Sequence, residues 1–214
     1  SDFYRRVHTE EGVHVVEDCL AASITLVTDE LCVQTSCGQA FDAHMVVIGI
    51  GVIPNTELAE FAGLDIVDGI AVNEYCQTSD PDIYAIGDVS WHHNPLYDRH
   101  MRLESVPNAT EQAKTVAAHI TGNPKSYDAL PWFWSDQFDL KLQIAGLSDG
   151  YDDLILRGDP DGSRQIAAYY FKGERLLAVD AVNAPRDFMI ARMALSQGRT
   201  LDKTRLASCD DAEL

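Results

Sequence analysis

The segment Thr78 to Val89, Thr-Ser-Asp-Pro-Asp-Ile-Tyr-Ala-Ile-Gly-Asp-Val, constrains the fold more than any other part of the chain. Its apolar run Ile83 to Ile86 reads as a strand that ends in Gly87-Asp88. A strand running into Gly-Asp sets a carboxylate at the carboxyl edge of a sheet, where open α/β folds bind their ligands. Gly87 has no side chain to obstruct a close approach. Asp88 can accept hydrogen bonds from vicinal hydroxyls, which suits a ribose or a ribityl chain better than a phosphate that would repel it. A bare Gly-Asp pair is also an ordinary turn, so the ligand reading rests on the surrounding segments.

At 214 residues and 46% hydrophobic content, the chain can bury a core in one large domain or two small ones. A formal charge of -18 and a pI near 4.5 argue against nucleic acid, which needs a basic footprint. The same charge repels acidic partners unless a local Arg patch receives them. Apolar runs such as Met45 to Ile50 are too short to span a bilayer, and the opening residues lack the apolar core of a signal peptide. No membrane association is expected, and the cytoplasm is the default compartment.

Five cysteines, Cys19, Cys32, Cys37, Cys76 and Cys209, form an odd set without secretory signals, which predicts free thiols. Cys32 and Cys37 have an interval used by flavin-linked disulfide reductases and by some iron-sulfur proteins. No second pair follows to complete a cluster, and the alternation up to Gly38 reads as two strand cysteines. His92 and His93 lack partners at ligand spacing and are expected at the surface.

Along the chain, Phe3 to Glu11 reads as the end of a helix capped by Gly12, followed by a strand at Val13 to Val16. Ile24 to Thr28 and Leu31 to Thr35 suggest an antiparallel ribbon turned at Asp29-Glu30. Met45 to Gly51 reads as a strand buried on both faces, and a short helix from Asn55 to Ala62 closes at Gly63. Gly69 to Val72 is a further strand, and a loop rich in His, Asn and Pro follows Asp88. Ser105 is a good N-cap with Pro107 in the first turn, and Ala109, Ala113, Val116, Ala117 and Ile120 recur at helical spacing until Gly122. After a linker at Lys125 to Leu130, strands are expected near Lys141 to Ala145, Tyr151 to Arg157, Gln165 to Phe171 and Leu176 to Val182. A helix from Pro185 to Gln197 completes a small α+β unit, and the tail from Ser208 to Leu214 is expected to fray.

Gly49-Ile-Gly51-Val-Ile-Pro54 follows an apolar run, but Pro54 stands where a dinucleotide fingerprint wants its third Gly. Taken in order, Val46 to Asn55, Gln77 to Asp88, Leu96 to Arg99, Glu104 to Ala109, Pro131 to Asp136 and Leu177 to Asn183 resemble the FAD-dependent ferredoxin reductases of the putidaredoxin reductase, rubredoxin reductase and biphenyl dioxygenase reductase type. The similarity runs across almost the whole chain. It implies an α/β FAD/NAD(P)-binding, Rossmann-like remnant followed by a small α+β reductase C-terminal domain. Residues 1–50 would be the tail of the NAD-binding domain, 51–124 the second segment of a discontinuous FAD-binding domain and 128–214 the C-terminal domain.

The resemblance implies that Asp88, after Gly87, binds the ribityl chain of FAD. The backbone around Val106 would meet the flavin's pyrimidine edge, with Ser105 and Pro107 opening a helix whose positive end favours the reduced, anionic ring. Trp134 resembles the aromatic beside the isoalloxazine, while Trp132 reads as a hydrophobic anchor between domains. Glu104 corresponds to an acidic residue near the nicotinamide carboxamide of NAD(P)H, and Gly49 and Gly51 match the turn against which that dinucleotide lies. Arg99 and Arg102 are candidates for pairing with a two-iron ferredoxin, or for ordinary salt bridges. The family's two Gly-x-Gly-x-x-Gly turns are not found here. The chain is therefore expected to be the carboxyl-terminal half of a reductase about twice its length, its partner being the amino-terminal half that carries both turns. The implied function is electron transfer from NAD(P)H through FAD to the ferredoxin of an oxygenase system. The alternatives are a cofactor-free inactive fragment, whose interrupted sheets would invite homo-oligomers, and a flavin-linked disulfide or monodehydroascorbate-type reductase.

Overall fold

The structure, a computed structural model, describes residues 2–208, so Cys209 and the tail beyond Ser208 lie outside the described residues. The chain divides into two compact units, Ser1–Ile53 and Pro54–Leu214.

The first unit opens with helix α1 (Asp2–Glu10), which buries Phe3 and Val7, spaced i,i+4 on one face. Its end follows the expected glycine logic. Gly12 takes φ +87, its N–H donates to Thr9 O at 3.0 Å, and Val13 N–H reaches His8 O at 2.8 Å. Strands β1 (Ala21–Val27), β2 (Glu30–Thr35) and β3 (Ala40–Ala43) form an antiparallel meander in chain order. The expected ribbon is present, with its turn at Thr28-Asp29, one residue earlier than predicted.

Two strand expectations fail in this unit. Val13 to Val16 and Met45 to Gly51 form no strand, and Val47 and Ile50 are 85% and 91% exposed. An apolar strand of the buried kind needs neighbouring strands and a layer on each face. The three-stranded meander offers neither run a hydrogen-bonded partner. The free-thiol expectation also fails for two cysteines: Cys19 and Cys37 are disulfide-bonded, with Cα atoms 5.7 Å apart. The bond closes the open end of the β1–β2 hairpin, where Ser36 N–H donates to Leu20 O at 2.8 Å and Leu20 N–H to Ser36 Oγ at 3.0 Å. Cys32 lies on β2 as a free thiol, and Cys37 sits in the turn beyond it.

The second unit begins with α2 (Glu57–Phe61), shorter than predicted but ended by Gly63 at φ +76. Strand β4 (Ile70–Ala71) pairs in parallel with β5 (Ser90–Asn94), and β5 pairs antiparallel with β6 (Arg99–Met101). The loop expected after Asp88 is therefore largely a hairpin. Conversely, Ile83 to Ile86 is not a strand: its extended backbone makes one isolated bridge, Gln77 to Tyr84, and Gly87–Val89 is a single 3-10 turn. Helix α3 (Val106–Ile120) starts where Ser105 predicts, the Ser105 Oγ accepting from Asn108 N–H at 3.3 Å.

Beyond it lies a five-stranded antiparallel sheet in the order β7 (Trp132–Gln137), β8 (Leu140–Gly146), β11 (Arg175–Val182), β10 (Ile166–Lys172), β9 (Asp153–Gly158). Helices α4 (Pro185–Ser196) and α5 (Lys203–Ser208) pack on this layer, and the core gathers Tyr169, Phe171, Val179, Phe188, Ala191 and Leu206. Strands β3 and β7 and helix α5 are additions to the predicted elements. Inside this core Asp187 accepts from Arg157 Nε at 2.9 Å and from Tyr169 OH at 2.8 Å, tying α4 to β9 and β10. Among the described residues no helix is long and apolar enough to cross a membrane.

Candidate functional site

Helix α3 decides the geometry of the site, and it does so with its polar face. Pro107, Asn108, Gln112 and Thr115 are its buried residues, whereas Ala113, Ala117 and Ile120 of the predicted apolar stripe are exposed. Asn108 and Gln112 are one turn apart and point into a hydrogen-bonded cluster with β5 and the 3-10 turn. Gln112 Oε1 accepts from Gly87 N–H at 2.7 Å and lies 2.9 Å from Ser90 Oγ. Asn108 Nδ2 donates to Leu103 O at 2.9 Å, and Asn108 Oδ1 accepts from Tyr127 OH at 2.7 Å. The Lys125 to Leu130 segment is therefore anchored by buried Tyr127 instead of behaving as a free linker. Burial raises the Tyr127 pKa well above the usual phenol range, so its hydroxyl stays a donor.

His92 is a further correction. It is buried against α3 and Tyr127, not at the surface, with Nδ1 3.2 Å from Gln112 Nε2 and its ring edge-on to Tyr127 at 5.0 Å. Burial lowers its pKa, with the neighbouring His100 and His93 acting in the same direction and a hydrogen bond at Ser90 opposing. His93 does face outward, beside Asp98.

The predicted site residues fall on both units. Gly87 takes φ +74, a backbone conformation that favours glycine, and a Cβ built there would stand 3.4 Å from the Ala109 Cβ, in ordinary contact with α3. Asp88 follows with an exposed side chain, and its backbone oxygen accepts from Arg102 Nη1 at 3.1 Å. Arg102 also pairs with Glu104 and stands 3.7 Å from Asp68. The guanidinium therefore draws Asp88 and Glu104 together and is mostly buried, which leaves it engaged within the chain. Arg99 is paired with Asp149. Val106 is 66% exposed at the start of α3, and Pro107 is buried behind it.

Among the first-turn donors of α3, Asn108 N–H goes to the Ser105 cap, Ala109 N–H goes to Ser105 O at 3.1 Å, and Pro107 has none. Among the described residues, that leaves the N–H of exposed Val106 as the first-turn donor without a protein acceptor. Trp134 lies on the edge strand β7, 38% exposed and stacked on Trp132 at 5.5 Å. Trp132 packs on Phe188 of α4 beneath the Arg192 guanidinium, which stands 4.8 Å from its ring. With Pro107, Asn108 and Tyr127 it lines a cleft of about 210 Å³ between α3 and the C-terminal sheet, so it joins the two layers. Gly49 and Gly51 belong to the first unit, Gly51 at φ +98 and both open to solvent.

Gln112, Asn108, His92 and Tyr127 were not singled out as site residues from the sequence. The signal was there in Asn108 and Gln112, two amides spaced i,i+4 opposite a stripe of alanines. It was masked by the rule that the apolar stripe faces inward.

Comparison with known proteins agrees with this architecture. Residues 1–113 match the pyridine nucleotide-disulphide oxidoreductase family, and residues 132–213 match the reductase C-terminal family. Putidaredoxin reductase of Pseudomonas putida is 45% identical over 194 residues, covering 88% of this chain and 45% of that protein. Rhodocoxin reductase of Rhodococcus erythropolis is 42% identical, covering 98% of this chain and 49% of that protein. The reductase in the crystal structure of the covalent putidaredoxin reductase–putidaredoxin complex superimposes with a TM-score of 0.92 at 40% identity, over 98% of this chain and 50% of that one. The chain thus spans about half the length of the curated relatives it matches. It belongs to the pyridine nucleotide-disulphide oxidoreductase family, with a reductase C-terminal match following at residues 132–213.

Proposed function

We propose that this chain is the carboxyl-terminal half of a flavoprotein oxidoreductase that passes electrons from NAD(P)H through FAD to a two-iron ferredoxin of an oxygenase system. The observation that carries the reading is the free Asp88 carboxylate beside a clamped turn, close in the fold to a capped helix with one unpaired N–H. A flavin fits these residues: a carboxylate for ribityl hydroxyls, an amide donor at a positive helix end for an electron-rich ring edge, and a half-exposed indole for an aromatic surface. When bound, FAD supplies the conversion of a two-electron donor into single-electron deliveries.

The work of the chain in this proposal is to bind and to position. Asp88 accepts from the ribityl chain while Arg102 holds the Asp88 backbone from behind. Val106 N–H and the dipole of α3 favour negative charge at the pyrimidine edge. Trp134 covers the ring from β7, and Glu104, oriented by Arg102, is the acidic residue offered to the nicotinamide. No residue here transfers a proton. The pyrophosphate-binding glycine turns are assigned to the amino-terminal half of the complete enzyme. That half would also cover the exposed apolar residues Leu58, Phe61 and Ile120, which in the isolated chain favour homo-oligomers. The ferredoxin partnership is supported by the solved complex of the relative, and a cytoplasmic location is part of the same proposal.

The test is Asp88→Ala in the complete reductase, with flavin content and FAD dissociation read from the visible spectrum. A loss of bound flavin is expected, and near-normal flavin content in a folded variant refutes the assignment.

A further inference from the structure

We propose that Gln112 and His92 are positioning residues that hold the Gly87-Asp88 turn in its flavin-binding conformation through a hydrogen-bond path with one fixed direction. The inference rests on the flavin reading above, because it gives that turn its purpose.

The direction of the path follows from valence. Gly87 N–H can only donate, so the Gln112 atom 2.7 Å from it is the amide oxygen. The same oxygen lies 2.9 Å from Ser90 Oγ and 3.4 Å from Asn108 Nδ2, both able to donate. With the oxygen so placed, the Gln112 amide nitrogen faces His92 Nδ1 at 3.2 Å and must donate to it. His92 Nδ1 is therefore an acceptor, and the neutral ring carries its hydrogen on Nε2, a buried nitrogen with no hydrogen-bond partner among the described residues. Gln112 is fully buried and His92 nearly so, so water does not compete for these groups.

A proton on His92 Nδ1 would set donor against donor. Relief requires the Gln112 amide to rotate, which withdraws the oxygen from Gly87 and frees the turn that carries Asp88. The groups facing His92 are His93 on its own strand, His100 on β6, Tyr127 from the segment after α3, on α3 the uncharged Gln112, and the Ser90 backbone, whose hydrogen bond alone favours the protonated ring. The histidine neighbours and the burial both disfavour that proton, which keeps the path in its working direction at neutral pH.

The experiment measures FAD dissociation from the complete reductase as a function of pH in Gln112→Met, Gln112→Glu and Thr115→Val, with thermal unfolding followed in parallel. Gln112→Met keeps the shape and removes the acceptor, and is expected to weaken FAD about tenfold. Gln112→Glu keeps an acceptor for Gly87 and sets a second acceptor against His92 Nδ1, which then requires the protonated ring. Its FAD affinity should fall as pH rises, whereas the wild-type affinity falls as pH drops. Thr115→Val alters the same buried face of α3 outside the path and should leave FAD binding unchanged. A merely structural role for Gln112 would lower the unfolding temperature without inverting the pH profile. Wild-type affinity and pH profile in both Gln112 variants, with flavin lost in Asp88→Ala, overturn this inference alone. Flavin retained in Asp88→Ala overturns the reading beneath it.

Discussion

The amide oxygen of Gln112 accepts the backbone N–H of Gly87 at 2.7 Å, joining the middle of α3 to the turn that presents Asp88. Gly87 itself sits at φ +74 with the Ala109 Cβ 3.4 Å from where its own Cβ would stand. Gly87→Ala therefore places an L residue in a left-handed backbone conformation, which costs about 1–2 kcal/mol, with the added Cβ in ordinary contact with α3. Denaturant unfolding should show a lower midpoint at unchanged slope, and bound flavin should dissociate faster. An unchanged midpoint would mean that the turn can relax without penalty.

Asp187 is the acceptor shared by Arg157 and Tyr169 within the C-terminal core. Asp187→Ala removes the carboxylate that Arg157 Nε and Tyr169 OH share inside the core, and breaking a buried pair of this kind costs about 3–5 kcal/mol. Asp187→Asn keeps an acceptor for the tyrosine hydroxyl and should be milder. Urea unfolding of the three proteins orders them directly, and equal stability of wild type and Asp187→Ala would contradict the role given to the pair.

His92 makes the stability of the second unit depend on pH. Burial, helped by His100 and His93, lowers its pKa below the ordinary 6.5, so the folded state binds a proton less readily than the unfolded chain. The stabilisation is complete above the unfolded pKa and is lost as pH falls through 6.5 toward the lower folded value. The difference in unfolding free energy between wild type and His92→Gln should therefore shrink as the solution is acidified across that window. A difference constant with pH would show that His92 titrates normally.

Local chemistry made part of this fold legible in the sequence. Ser105, Pro107 and Gly122 bound α3, and Gly12 ends α1, because caps act within a few residues of themselves. The β10–β11 hairpin was equally readable at Lys172-Gly-Glu. The β7–β8 hairpin was not: its turn places Phe138 at φ +55, where a glycine or asparagine would have announced it. Met45 to Gly51 failed for the opposite reason, since its composition specifies a buried strand whose neighbours are not among the described residues. Helix α3 was inverted as well, with Ala113, Ala117 and Ile120 facing solvent while Asn108 and Gln112 face the core. Asp88 was legible as a site candidate from Gly87-Asp88 read with its surrounding segments, but the path that holds it became visible only once β5 set His92 beside Gln112.

The most direct measurement is NAD(P)H-driven reduction of a two-iron ferredoxin by the complete flavoprotein, followed in the visible spectrum with thiol titration before and after turnover. The account predicts that the ferredoxin is reduced catalytically and that the number of thiols is unchanged. Bleaching of the flavin with the ferredoxin left oxidised and two new thiols released would contradict it, and would identify a disulfide reductase instead.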